Sequence, residues 1–206
     1  MCLGCLLFTF PAVARGEERG DQGFVPLFNR EDMSAWQTTG NWGFEPDGAL
    51  ALRPEYRGFR LFPDHKSFLW SIASYDDFIL DLEFKLAENG NSGVFVRSSS
   101  RRSYIQTQIR DSHGRQEPLA NSDCGAVVGV AAPSKNMSKP AGQWNRMIIT
   151  CQGDRMQVEL NGEQIVNLDL TESQKTRSIR SGRIGFENKN SPVAFRNVRI
   201  KELRQE

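Results

Sequence analysis

The 206-residue chain carries 26 Lys and Arg against 25 Asp and Glu, so it has no basic field to recruit nucleic acid. Its 13 Phe and 18 Gly are spread along the whole length, without an internal repeat, low-complexity tract or long linker. That length suits one substantial domain, and a single β-sandwich fits it.

In chain order, Met1 to Ala14 contains no charge, and an apolar run from Leu3 to Phe10 leads into Ala12-Val13-Ala14, small residues where a signal peptidase reads. A cleaved secretory signal over residues 1–14 is expected, although the usual positive n-region is missing. The run is too short to span a bilayer, and Leu3-Gly4-Cys5 offers a second reading as a lipoprotein site. After cleavage two cysteines remain, Cys124 and Cys151; they pair, or each is a small buried hydrophobe. His65 and His113 lack companions at metal-ligand spacing.

Beyond the polar stretch Arg15 to Gly23, "GFVPLFNREDMSAWQ" reads as an apolar edge segment and one short helical turn. "ALALR" follows the turn signal Pro46-Asp47-Gly48. "DFILDLEFKL" alternates cleanly, Leu80, Leu82, Phe84 and Leu86 on one face and Ile79, Asp81, Glu83 and Lys85 on the other. "SGVFVR" follows Asn89-Gly90-Asn91, and "YIQTQIR" alternates Ile105, Thr107 and Ile109 with Gln106, Gln108 and Arg110. "SSSRRS", residues 98–103, reads as a basic loop between them. "WNRMIITCQG" and "RMQVELNGEQIVNLDL" follow, the latter with the hairpin signal Asn161-Gly162 between two alternating runs. Residues 171–181 are an exposed loop or short helix; "GRIGFEN" and "VAFRNVRIKEL" are the last strands. Short strands without alternating long helices predict an all-β chain of two antiparallel sheets packed face to face.

Seven segments carry a resemblance: "FVPLFNREDMSAW", "SFLWSIASYDDFILDLEFKL", "NSGVFVR", "APSKNMSKPAGQWNRMIITCQG", "ELNGEQI", "GRIGFEN" and "VAFRNVRI". In this order and spacing, over residues 23–203, the chain resembles the 3-keto-disaccharide hydrolase domain family. The resemblance implies a concanavalin A-like, LamG-like jelly-roll sandwich. It also implies a secreted, periplasmic or envelope location in a polysaccharide-degrading bacterium, and substrates that are glycosides oxidised to a ketone at C3. Three positions depart from the family pattern. Gln106 stands where the family usually has an acid, Glu187 where it has a glutamine, and Lys189 where it has a histidine.

If every apolar set points into the sandwich, Arg97, Gln106, Gln108 and Glu187 meet above one sheet, with Asn91 at the border. Amides and Arg suit sugar hydroxyls; the alternative is a solvated strand face with ordinary cross-strand pairs. An ordinary glycosidase needs two carboxylates, about 5 Å or roughly 6.5–9.5 Å apart. The candidates are Glu187, Asp111, Asp81 and Glu83, of which only Glu187 has motif context. A 3-keto sugar needs just one base, because the ketone acidifies the C2 proton. Glu187 or Asp111 would be that base, with Lys189 or Arg97 stabilising enolate charge. A divalent cation could serve the same end, but no ligand set stands out. Phe195-Arg196-Asn197 is a family hallmark in which Arg196 is either a structural tie or a ligand. The expected partner is a carbohydrate. The functions left open are a hydrolase acting on 3-keto-glycosides, a non-catalytic carbohydrate-binding module of lectin type, and an envelope interaction domain.

Overall fold

The computed structural model describes residues 23–28, 32–54, 67–100 and 103–203. The expected signal segment, His65 and part of the "SSSRRS" connection lie outside these residues.

Thirteen strands are present among the described residues: β1 (Val25–Pro26), β2 (Trp36–Gln37), β3 (Trp42–Phe44), β4 (Leu50–Leu52), β5 (Leu69–Tyr75), β6 (Phe78–Leu86), β7 (Asn91–Ser100), β8 (Ser103–Arg110), β9 (Asn145–Gln152), β10 (Arg155–Leu160), β11 (Glu163–Asp169), β12 (Gly182–Phe186) and β13 (Val193–Glu202). They form an eight-stranded sheet, β11-β10-β9-β6-β13-β4-β3 with β1 also on β13, and a five-stranded sheet, β2-β5-β12-β7-β8. Neighbouring strands pair antiparallel throughout. The chain is therefore the expected two-sheet, concanavalin A-like jelly-roll sandwich.

Alternation explains how the sheets stack. On β6, Phe78, Leu80, Leu82 and Phe84 are buried facing the second sheet, while Ile79, Glu83 and Lys85 are half-buried on the opposite face. Each fully buried side chain of this size contributes about 1.5–3 kcal/mol. Phe186 of β12 meets Phe195 of β13 at 4.4 Å between ring centroids, which joins the two sheets directly. Phe28 and Trp36 extend that contact, with Trp36 at 5.7 Å from Phe186.

The hairpin expected at Asn161-Gly162 joins β10 to β11, with positive φ at both residues (52° and 89°). The helical turn expected before β2 is a tight turn at Met33–Trp36, closed by the Trp36 amide on the Met33 carbonyl. In the polar stretch after β11 a single 3-10 turn forms, Leu170–Glu172, capped by Asp169. Cys124 and Cys151 are separate buried thiols, and burial pushes both up to about 12, so neither is a ready nucleophile.

Candidate functional site

The site is built on the five-stranded sheet, on the face turned away from the core. Register places Trp70 (β5), Gly185 (β12), Phe95 (β7) and Gln106 (β8) side by side across four strands. In the next row the backbone N–H of Glu187 donates to the Gly93 carbonyl at 2.8 Å, and Gly93 pairs with Gln108. Ile105, Thr107 and Ile109 fill the core side of β8, so Gln106 and Gln108 must point outward.

Those outward groups form one continuous hydrogen-bonded chain. Gln106 Nε2 donates to Glu187 Oε2 at 3.0 Å and to Gln108 Oε1 at 3.4 Å. Gln108 Nε2 in turn donates to Asn91 Oδ1 at 3.0 Å. Lys189 Nζ lies 3.1 Å from Glu187 Oε1, so each carboxylate oxygen has its own donor. Ser92 Oγ donates to the Glu187 carbonyl at 2.8 Å and pins the backbone beneath.

Glu187 is only 4% exposed, and burial raises its carboxyl above the ordinary 4.5. The charge and hydrogen bond of Lys189, and the hydrogen bond of Gln106, pull the other way without cancelling the rise. A carboxyl shifted upward, with a cation at one oxygen and an amide at the other, is equipped to accept and return a proton. The Lys189 side chain is 43% exposed and Asn91 is half-buried, so this row opens to solvent at their end.

Gln106, Gln108, Glu187, Lys189 and Asn91 thus come together, and two other candidates do not. Arg97 is fully buried. Its expected place on the outer face fails because β7 bulges between Val96 and Ser100 and Arg97 takes φ 50°. Its guanidinium turns inward to Asp77 Oδ1 at 2.9 Å and to the carbonyls of Asp76 and Gly153. Asp111 follows the core-facing parity of β8. Its Oδ2 accepts the Asn89 amide at 2.9 Å, closing the β6–β7 turn and standing apart from the amide row. Asp81 and Glu83 lie on the other sheet, held by Arg146, Arg199 and Arg196.

Two glycines, Gly93 within β7 and Gly185 within β12, make room for this face. A Cβ on Gly93 would stand 2.6 Å from Gln106 Nε2 and 3.2 Å from Glu187 Oε2. A Cβ on Gly185 would stand 2.4 Å from the Trp70 ring. The hydrogen-bonded pair lies over the first and the indole over the second. Glycines at outward positions within strand-like runs are the signal that the sequence offers for them. Beside the amide row sits an aromatic group, Phe68, Trp70 and Phe95 at 5.4–6.1 Å between centroids, with Tyr104 edge-on to Phe95 at 5.0 Å. Among the described residues no three His, Cys, Asp or Glu side chains gather as metal ligands.

A jelly-roll sandwich presenting an amide–carboxylate row beside aromatics on one sheet face is a glycosyl-hydrolase-like or carbohydrate-binding architecture. The chain belongs to the 3-keto-alpha-glucoside-1,2-lyase-like domain family, matched over residues 23–201. This is the family that the seven sequence segments resemble. Among solved structures, a protein of Parabacteroides distasonis assigned as a glycosyl hydrolase is similar at 25% identity and a TM-score of 0.73, over 87% of this chain and 99% of that one. The carbohydrate-binding module CBM66 of Bacillus subtilis shares the fold at 16% identity and TM-score 0.55, over 82% of this chain and 96% of that one. The beta-glucanase of Bacillus licheniformis shares it at 12% identity and TM-score 0.51, over 88% and 97%. No curated protein matches the chain by sequence.

Proposed function

We propose that the chain cleaves glycosides oxidised to a ketone at C3, with Glu187 as the base. The Glu187 carboxylate removes the C2 proton next to the ketone, and the freed electron pair forms an enolate. Collapse of the enolate makes the C1–C2 double bond and breaks the C1–O bond. The departing oxygen takes up the proton. Addition of water across the double bond then completes a net hydrolysis; without it the reaction ends as a lyase step. Lys189 supplies the cation for the charge that develops, and Gln106 and Gln108 hold sugar hydroxyls.

The observation that carries this reading is the Lys189–Glu187–Gln106 contact. It gives one buried carboxylate a cation at one oxygen and a fixed amide at the other, the groups that a proton abstraction beside a ketone calls for. Asp111, occupied at the β6–β7 turn, and Arg97, enclosed with Asp77, are the weaker candidates for base and cation. The uncharged Met1–Ala14 segment supports an exported protein.

The test is incubation with 3-keto-maltose or 3-keto-trehalose while free 3-keto-glucose or its unsaturated product is followed. Wild type turns the substrate over, and Glu187→Gln loses about 10²–10⁴-fold in kcat, the usual share of a general base. Undiminished turnover in Glu187→Gln refutes the assignment. A second reading, a non-catalytic sugar-binding module, draws on Gln106, an amide where the family usually has an acid, and on the fold shared with CBM66. Saturable binding of the keto-sugar without turnover by wild type selects it.

A further inference from the structure

A second polar group, unused by the Glu187 site, occupies the outer face of the eight-stranded sheet. Alternation along β6 turns Asp81 and Glu83 outward, and β13 answers with Arg199 opposite Asp81 and Arg196 opposite Glu83. Three residues of β13 span what two residues of β6 span. The surplus is a bulge containing Asn197 at φ 51°, and it keeps both arginines on one face. From β9, Arg146 grips Asp81 with two parallel bonds, Nε to Oδ1 at 2.9 Å and Nη2 to Oδ2 at 2.8 Å. Arg199 Nε adds a third at 3.0 Å. Arg196 Nε and Asn197 Nδ2 share Glu83 Oε2 at 2.7 and 2.6 Å.

Over this network lies a cavity of about 840 Å³, walled by the three arginines, Phe28, Phe44 and Pro26, with Asp47 at the rim. Its size falls in the range of small-molecule sites. Three guanidiniums and three carboxylates line it, so its formal charge balances, while most of its free hydrogen-bonding groups are N–H. Asp81 and Glu83 are engaged by guanidiniums, and Asp47 Oδ1 accepts the Ala49 amide. Yet Arg146 Nη1 and both Nη groups of Arg196 have no acceptor among the described residues. The Arg196 guanidinium is also fixed in orientation, lying 4.1 Å above the Trp144 ring that Lys85 Nζ approaches at 4.7 Å. A planar cation held by a ring and a carboxylate loses little further freedom when its remaining N–H groups meet an acceptor. Tying strands together explains the ion pairs. It does not explain an open donor-rich cavity with two phenyl walls.

We propose that this cavity is a second saccharide-binding site, selective for a sugar carrying an oxyanion. The carboxylate of a uronate or a sulfate ester meets Arg146 and Arg196, and the pyranose ring lies against Phe28 and Phe44. The proposal stands whether or not Glu187 is catalytic, because no residue is shared between the two sites.

Titration calorimetry of the full chain with an oligogalacturonate, a sulfated oligosaccharide and maltotriose tests it. An anionic probe binds with a dissociation constant that rises with salt, maltotriose does not bind here, and the stronger of the two anionic arms identifies the oxyanion. Arg146→Gln and Arg196→Gln each weaken binding about tenfold or more, the effect of losing one charge-assisted contact. Glu187→Gln leaves it unchanged. If a variant fails to fold, the Trp144 indole resonance of the wild type still reports, shifting with the anionic probe and not with maltotriose. The proposal is overturned if neither anionic probe binds by about 10 mM, if maltotriose binds equally, or if Glu187→Gln abolishes the binding.

Discussion

Gln106 Nε2 rests 3.0 Å from Glu187 Oε2, although the two residues are 81 positions apart in the chain. An amide here lets Glu187 keep one charge in a buried place; an acid would put two carboxyls side by side. Gln106→Glu therefore creates a pair that shares a proton, and the folded chain binds that proton more tightly than the unfolded chain. Stability must then fall as pH rises above the ordinary carboxylate value. Urea unfolding should find Gln106→Glu weaker than wild type by about 1–3 kcal/mol near pH 8 and nearly equal to it near pH 5. Equal stability at both pH values would mean that the two side chains do not meet.

The raised Glu187 carboxyl sets a second pH dependence. Protonation blocks a base, so the acid limb of the kcat/KM profile lies above the ordinary value of 4.5. Lys189 pulls the carboxyl down, so Lys189→Met lets burial act with less opposition. The acid limb should move to higher pH in that variant, with kcat lowered several-fold where the developing charge loses its cation. The same raised carboxyl makes wild-type stability decline as pH climbs from 4.5 through the folded value, a decline that Glu187→Gln removes. Profiles of turnover and of melting temperature for the two variants check both statements.

Much of this site is legible in the sequence, and the reason is periodicity. Ile105, Thr107 and Ile109 had to face the core, so Gln106 and Gln108 had to face away, and one register brings Glu187 to them. Arg97 was not legible. Alternation gives it the parity of Phe95, and nothing in "SGVFVR" announces the bulge that turns its side chain inward. The turn contact of Asp111 was not legible for a related reason, since a strand pattern does not say which carboxylate closes a turn. The aromatic group beside the row and the gaps at Gly93 and Gly185 depend on cross-strand neighbours, which a single strand's pattern does not contain.

Arg97, enclosed with Asp77, is a structural residue. Its guanidinium satisfies one carboxylate and two carbonyls at the β5–β6 and β9–β10 turns. Arg97→Met leaves Asp77 buried beside an apolar chain and should cost about 3–5 kcal/mol in urea unfolding. The double variant Arg97→Met with Asp77→Leu should recover much of that, because an uncompensated buried charge is the main penalty. A cost below about 1 kcal/mol for the single variant would place the pair in the weak class of exposed ion pairs.

Gly93 offers the sharpest separation of site from scaffold. An alanine methyl there meets Gln106 Nε2 at 2.6 Å and Glu187 Oε2 at 3.2 Å, so the amide must swing away and the carboxyl must shift. Both are side-chain ends, and the strand can absorb the change at about 1–3 kcal/mol. A displacement of about 1 Å in a catalytic group can nonetheless remove 10²-fold of rate. Gly93→Ala should therefore melt within several degrees of wild type while kcat falls by about 10² and KM changes less. Gly185→Ala makes the useful contrast, because its methyl would strike the Trp70 ring at 2.4 Å, within the aromatic group rather than at the carboxyl. That variant should lose stability first, and its residual activity should track the folded fraction. If Gly93→Ala behaves in the same way, with activity lost only as folding is lost, Glu187 and Gln106 are scaffold and the base lies elsewhere.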